Sequence, residues 1–265
     1  IAVCAQHNNG GFAMNLWWES SVPHTFVIGE MAGTHGVKRP GGSALNAGQV
    51  GGLRAAEYIV NAYGVETADH SDDGDQINRQ VQDLIGKFDR WQGSSGLSPF
   101  DVVDQIQNRM TASAAYIREH KDANESLQQA ISLVKEIQDK GLAAPDARSL
   151  IAAVVAEHMA LASVAYLKAI VDLLARDGGS RGSYLVLSPD GIPIHPDVVN
   201  PTTGEPLKFK PENEDLRNTI LQIQYDETSS DLFQTAAVPP RAAPVERKSF
   251  EPAWRDYREG RIYNA

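Results

Sequence analysis

Four stretches between residues 73 and 176 repeat apolar side chains at helical spacing, and together they restrict the fold more than any other feature. In the first stretch, Ile77, Val81, Leu84, Phe88 and Trp91 follow one another at intervals of 4, 3, 4 and 3 residues. This spacing places all five side chains on one face of a helix. Because an amphipathic helix must bury its apolar face against another element, the four stretches predict an antiparallel helical bundle.

Capping and helix-breaking residues mark the ends of the other three helices. Ser98 followed by Pro99 predicts one start, Asn124 a second, and Pro145 the start of the longest helix. Gly141 and the pair Gly178-Gly179 predict two helix ends. The apolar positions expected in the core are Val103, Ile106, Met110, Ala114 and Ile117 of the second helix, Leu127, Ile131, Val134 and Ile137 of the third, and Ile151, Val155, Met159, Ala162, Tyr166, Ile170 and Leu173 of the fourth.

The regions on either side of the helices have a different composition. Near the start, Phe26 to Ile28 favours a short strand, which leads into a glycine-rich loop and a helix that Ser43 is expected to cap. Near the end, 184–187 and 220–225 are candidate strands within otherwise proline-rich, extended chain. The sequence therefore predicts a mainly helical α+β protein in three parts, 1–70, 71–185 and 186–265.

Charge and cysteine content exclude several classes of site. Lys and Arg number 24 against 34 Asp and Glu, a net charge of −10 at pH 7, and no basic stripe is present. Nucleic-acid binding is therefore not expected, because phosphate contacts need clustered cations. Cys4 is the single cysteine, which excludes a disulfide framework and a cysteine-based zinc site. The histidines have no metal-ligand spacing, so we expect no metal.

The long apolar stretch from Leu150 to Ala175 contains Glu157, His158, Lys168 and Asp172. Each charge near the centre of a bilayer costs about 2.5–3.5 kcal/mol, so a core helix is expected and no direct membrane span. No secretion signal opens the sequence. We therefore expect a cytoplasmic location, and the alternative is peripheral membrane attachment through a partner protein.

The loop from Gly29 to Ser43 (GEMAGTHGVKRPGGS) carries the strongest chemical signal. Its glycines let the backbone pass close to a ligand, and it leads into a helix start whose free N–H groups favour an electron-rich partner. The following helix contains Gly48, Gly51 and Gly52, each of which costs up to about 1 kcal/mol relative to alanine. Something is therefore expected to pack closely on that helix. An ordinary turn with a tight helix contact explains the glycines equally well.

The segment GEMAGTHGVKRPGGSAL resembles the second FAD-contacting segment of the fumarate reductase/succinate dehydrogenase flavoprotein family, which includes L-aspartate oxidase and adenylylsulfate reductase. The family pattern is roughly G-E-x-x-G-x-H-G-x-x-R-x-G-G-x-x-L. Pro40 stands where the family usually has leucine. The positions that match are Gly29, Glu30, Gly33, His35, Gly36, Arg39, Gly41, Gly42 and Leu45.

Two further segments resemble the same family in the right order. Gln6 to Gly11 (QHNNGG) resembles its His-containing segment, with Gln6 at the usual histidine position and His7 one residue later. Ser180-Arg181-Gly182 resembles a turn that follows the family's helical domain. The resemblance covers about residues 1–185. It implies the C-terminal piece of a Rossmann-like FAD-binding domain, followed by an antiparallel helical bundle and an extended C-terminal tail.

The resemblance also implies roles for individual residues. Glu30 is expected to bind the sugar-alcohol part of FAD. The start of the following helix is expected to bind the flavin ring, through Gly41, Gly42, Ser43, Ala44 and Leu45. Reduced flavin is anionic at this edge, so a helix dipole stabilises it. Arg39, with His35, is expected to bind a substrate carboxylate. His7 (or Gln6) and Arg39 are the expected catalytic residues, acting on a small carboxylate as hydride leaves or enters the flavin.

The family's dinucleotide-binding GxGxxG and its substrate-capping domain do not occur in the sequence and would precede Ile1. The chain is therefore expected to be the C-terminal part of an FAD-dependent oxidoreductase, unable to hold FAD tightly without its N-terminal part. An iron–sulfur or other electron-transfer subunit is the second expected partner. The alternative function is an inactive helical module that docks on an electron-transfer protein. Arg39 and Glu30 favour the enzyme, because a docking module has no need of them.

Overall fold

The computed structural model describes residues 10–35, 42–63, 74–93, 95–181, 184–242 and 249–264. Their architecture is mainly helical α+β, as the sequence predicts. The chain divides into two compact units, unit 1 with residues 1–69 and 241–265 and unit 2 with residues 70–240. The assignment of the first part to a Rossmann-like domain and the predicted division into three domains stay predictions.

Unit 2 contains four long helices and two small sheets. The helices are α2 (Gly74–Gln92), α3 (Pro99–Ser113), α4 (His120–Lys140) and α5 (Ala147–Ala175). The strands β1 (Ile117–Arg118), β2 (Leu185–Pro193) and β3 (Lys208–Phe209) form a mixed sheet in the order β1-β2-β3, parallel between β1 and β2 and antiparallel between β2 and β3. The strands β4 (Ile220–Tyr225) and β5 (Phe233–Val238) form an antiparallel pair.

Helix α5 is the centre of unit 2, and α2, α3, α4, β4 and β5 all contact it. Its buried face is formed by Ala153, Ala156, Ala160, Val164 and Leu167, each at most 1% exposed. Small side chains let a neighbouring helix approach closely, and the larger Leu and Ile residues of α4 fill the remaining space. The predicted core positions of α4, Leu127, Ile131, Val134 and Ile137, are all buried, which confirms that helix face.

The predicted core face of α5 is wrong over most of the helix, although Ile170 is buried as predicted. Ile151, Val155 and Tyr166 are 68%, 46% and 52% exposed, and the alanine-rich side of the helix is buried instead. The helix is apolar on nearly every side, so large side chains did not mark the side on which α4 packs. The predicted stripe of α2 is buried only at its end, where Trp91 is 4% exposed, whereas Ile77 is 55% exposed.

The capping predictions have mixed outcomes. Ser98 caps α3 by accepting a hydrogen bond from the Asp101 amide, with Pro99 as the first helical residue, and α4 ends at Gly141. Asn124 is not a cap, because α4 already begins at His120. Helix α5 is capped by Asp146, the residue after Pro145, and it ends at Ala175, before the predicted Gly178-Gly179 stop.

Unit 1 is built around α1 (Ser43–Tyr58), which continues as one turn of π-helix over Ile59–Tyr63. A 3₁₀ turn, Gly29–Ala32, precedes α1, and α6 (Phe250–Arg258) with a second 3₁₀ turn, Arg261–Asn264, lies near the end of the chain. The predicted strand from Phe26 to Ile28 is limited to an isolated bridge between Glu19 and Phe26. Gly42, not Ser43, occupies the capping position of α1.

By length and composition alone, α5 could cross a membrane, and 33% of its most apolar window is buried inside the protein. Its charged side chains have partners within unit 2. Glu157 Oε2 lies 2.8 Å from Lys87 Nζ, and Lys168 Nζ lies 2.5 Å from Asp231 Oδ2. These contacts favour the predicted core helix.

We expect Leu167→Ala to lower the free energy of unfolding by about 2–5 kcal/mol, because it removes a fully buried side chain and leaves a cavity. The matched control on the same helix is Ile151→Ala, at a position that is 68% exposed, where the change stays within about 0.5 kcal/mol. Urea unfolding followed by circular dichroism measures both. Equal losses at the two positions would contradict the buried face described above.

The ion pair between Lys168 and Asp231 predicts a pH dependence of stability. The hydrogen bond from Lys168 lowers the pKa of the Asp231 carboxyl below its value in the unfolded chain. The pair therefore stabilises the fold above pH about 4, by at most about 1 kcal/mol for a partly exposed pair, and the stabilisation disappears as the pH falls through the lowered pKa.

Chemical unfolding of Asp231→Asn and the parent chain between pH 7 and pH 3 measures this effect. The difference in unfolding free energy is expected to shrink with falling pH. Asp190→Asn is the control, because the Asp190 side chain is exposed and forms no ion pair within the described residues. A difference that persists unchanged at pH 3 would show that the ion pair is not its cause.

Candidate functional site

Two glycine-containing segments of unit 1 touch through their backbones. The amide of Phe12 donates to the Met31 carbonyl at 2.8 Å, which aligns residues 10–12 with the end of the turn Gly29–Ala32. A Cβ at Gly11 would lie 2.2 Å from the Met31 oxygen, and one at Gly33 would lie 2.7 Å from the Gly11 nitrogen. Both approaches are shorter than any side chain allows, so only glycine fits at these two positions.

Gly33 has a second reason to be glycine, since its φ of 65° lies in the left-handed region. It ends the turn that holds Glu30, and its amide donates to the Glu30 carbonyl at 2.9 Å. The glycine contact thus brings the segment after His7 against the loop that carries Glu30 and His35. The Glu30 side chain is exposed, and His35 is half-buried.

The first turn of α1 begins directly after Gly42. Gly42 is at the capping position with φ 81°, and among the described residues no side chain caps the helix. Ser43 and Ala44 are half-buried, and Leu45 is 77% exposed. Backbone N–H groups at such a start, reinforced by the dipole of a 16-residue helix, favour an electron-rich group.

The glycines inside α1 are explained by close neighbours within unit 1. A Cβ on Gly51 would lie 2.7 Å from Nε1 of Trp18, and one on Gly48 would lie 3.6 Å from the Gly29 Cα. Gly52 faces the Ile28 side chain. The tight helix contact considered from the sequence is therefore present, and it keeps α1 against the turn that carries Glu30.

Three of the predicted site residues, His7, Arg39 and Gly41, lie outside the described residues. The others, Glu30, His35, Gly42, Ser43, Ala44 and Leu45, all belong to unit 1 on the turn Gly29–Ala32, just after it, or at the start of α1. No group of three or more potential metal-ligating side chains occurs in the part of the chain that the structure describes. The roles assigned to these residues stay predictions.

Part of the chain is similar in sequence to two known proteins. No family model matches it. Over 142 residues, 53% of the chain, it is 25% identical to a subunit of the CoM/CoB fumarate reductase of Methanothermobacter marburgensis. Over 119 residues, 42% of the chain, it is 31% identical to L-aspartate oxidase of Bacillus subtilis. The chain is partially homologous to flavoproteins of the fumarate reductase/succinate dehydrogenase family. It spans only 24% and 18% of the lengths of these two relatives.

The family resemblance of the sequence is thereby confirmed, but it did not indicate the aromatic cluster that supports α1. Trp17 stacks on Tyr58 with ring centroids 5.1 Å apart, and the guanidinium of Arg54 lies 4.7 Å from the Trp17 ring. Tyr257 and Tyr263, from the end of the chain, both donate hydrogen bonds to the Glu57 carboxylate at 2.7 and 3.2 Å. These contacts join residues about 200 positions apart, which no local pattern reveals.

A further hydrogen bond joins Tyr63, at the end of the π-helical turn, to Glu19. The hydroxyl of Tyr63 donates to the Glu19 carboxylate. This bond lowers the pKa of Glu19 and raises the pKa of Tyr63 to about 12, because the bond is lost when the phenol ionises. The segment before the turn is thus tied to the end of the π-helical turn that follows α1.

We expect Gly11→Ala to destabilise unit 1 by about 1–3 kcal/mol, because the added methyl group overlaps the Met31 carbonyl. Gly10→Ala is the matched control in the neighbouring position, where nothing lies within 4 Å of an added Cβ. Urea unfolding monitored by tryptophan fluorescence compares the two variants with the parent chain. If Gly10→Ala were as damaging as Gly11→Ala, the backbone contact would not be the cause.

Proposed function

We propose that the chain is the C-terminal portion of an FAD-dependent oxidoreductase that transfers hydride between flavin and a carboxylate-bearing substrate. The observation that carries the proposal is the packing in unit 1 of the turn that holds Glu30 against α1, where a Cβ on Gly48 would lie 3.6 Å from the Gly29 Cα. The partial homology to a fumarate reductase and to L-aspartate oxidase supports the same class of reaction.

The residues present fit FAD. The start of α1 offers backbone N–H groups from Ser43, Ala44 and Leu45, and Leu45 is exposed enough to contact a flat ring. Glu30 offers a carboxylate that accepts hydrogen bonds from sugar-alcohol hydroxyls. When bound, FAD supplies the hydride acceptor and donor. Glu30 and the start of α1 would hold the flavin, and the helix dipole would stabilise negative charge on it.

The carboxylate of the substrate is assigned to Arg39, whose planar guanidinium suits a bidentate contact, with His35 as a further binding group. His7 (or Gln6) is proposed to polarise the substrate through a second polar contact with it. The N-terminal part of a longer flavoprotein would complete the FAD and substrate sites. An iron–sulfur or other electron-transfer subunit is the proposed redox partner, and the cytoplasm is the proposed location.

The first test is the visible spectrum and intact mass of the untagged protein from its native cells. The expected result is a flavin spectrum, together with a mass above 28.8 kDa or a second co-purifying chain. A colourless sample of 28.8 kDa overturns the proposal and favours the docking module.

The second test is a substitution at the proposed carboxylate site. In the native holoenzyme, Arg39→Gln is expected to lower kcat/KM for succinate, fumarate or L-aspartate by about 10–100-fold, which corresponds to the loss of one charge-assisted contact. The control Arg79→Gln alters an exposed arginine of α2, and activity should not change. Equal activity of Arg39→Gln and the parent enzyme would contradict the role given to Arg39, while the flavin spectrum would still stand.

A further inference from the structure

Arg109, on α3 in unit 2, has a guanidinium whose donors are not satisfied by the described part of the chain. Its Nε and Nη1 atoms are buried, and neither has an acceptor within hydrogen-bonding distance among those residues. A buried donor left unsatisfied destabilises the fold, and native proteins pair most such groups. Burial also lowers the pKa of the Arg109 guanidinium, which means that its surroundings do not yet favour the charge. An acceptor at this position would remove both costs.

The Arg109 side chain lines a groove of about 420 Å³ between α3 and α4. Six of its seven lining residues have polar side chains. Its lining consists of Gln105 and Arg109 from α3 and of Gln128, Gln129, Ser132, Leu133 and Glu136 from α4. A planar guanidinium beside neutral side-chain amides is a set of donors for an oxygen anion.

The acid in this groove does not neutralise Arg109. Glu136 Oε1 lies 2.7 Å from Lys140 Nζ, its neighbour one turn later on the same helix, and this lysine is its ion-pair partner. The Ser132 hydroxyl is also engaged, since it donates to the Gln128 carbonyl at 2.9 Å. Among the residues that line the groove, none therefore compensates the positive charge of Arg109.

The charge of the lining decides which anion fits. Arg109 is the one cation among the lining residues, and Glu136 contributes a negative charge to the same wall. A phosphate dianion needs more than one cation to balance its charge. A single carboxylate matches one guanidinium in charge and in bidentate geometry.

We propose that the groove between α3 and α4 binds a carboxylate group through the guanidinium of Arg109, with the amides of Gln105 and Gln129 as further donors. The carboxylate belongs either to a small organic acid or to an Asp or Glu side chain of a protein. The site lies in unit 2, whereas the loop assigned to flavin lies in unit 1, so the two can be tested separately.

The test is nuclear magnetic resonance of the full chain with ¹⁵N-labelled arginine, which reports the Nε–H group of each arginine side chain. Disappearance of one peak in Arg109→Lys assigns it. Succinate and hexaglutamate are added in turn, with sodium chloride at matched ionic strength as the reference. Saturating shifts of the Arg109 peak are expected with a dissociation constant on the order of 1 mM, the weak range expected for a single charged contact.

Two variants separate a site from general charge attraction. Arg109→Gln should lose the binding, and Arg90→Gln should keep it, because Arg90 is exposed on α2 and does not line the groove. Saturation by succinate assigns the site to small acids, and saturation by hexaglutamate alone assigns it to acidic side chains of a protein. If neither probe shifts the peak more than sodium chloride does, water satisfies the guanidinium and the proposal is wrong.

Discussion

Close packing on the alanine face of α5 is the constraint on which the rest of unit 2 depends. Ala153, Ala156 and Ala160 are at most 1% exposed, so their neighbours approach the helix backbone directly. The helices α2, α3 and α4, and the pair β4-β5, all contact this one helix. A larger side chain on this face would separate the layers of the unit, since a packed core has no space for it. The positions of α3 and α4, and of the groove between them, follow from this contact.

In unit 1 a backbone contact has the corresponding role. Gly11 and Gly33 let two chain segments meet without side chains between them, and Gly51 lets Trp18 lie on α1. Together with the contact of Gly48 with Gly29, these contacts position the turn of Glu30 against α1. Glycine within a helix lowers its stability. In α1 the glycines allow the close packing that positions the turn of Glu30 in the candidate ligand site.

Patterns of the sequence predicted local features well and long-range features poorly. The helices, the cap at Ser98, the end at Gly141 and the strand at Ile220–Tyr225 all follow from local chemistry, and the structure contains them. The buried face of α5 could not be predicted, because a helix that is apolar all round gives no periodic signal. The hydrogen bonds from Tyr257 and Tyr263 to Glu57 depend on contacts between distant parts of the chain, as do the surroundings of Arg109. The fixed glycines and Glu30 were recognisable because their motif is contiguous.

The path of the chain through the two units has a consequence for how the protein forms. Residues 70–240 make up unit 2 without interruption, whereas unit 1 combines residues 1–69 with residues 241–265. During synthesis, unit 2 can leave the ribosome complete and fold while α1 still lacks the tyrosines that bind Glu57. The loop that carries Glu30 would therefore acquire its final support last. The candidate ligand site is thus supported only after Tyr257 and Tyr263 have been synthesised.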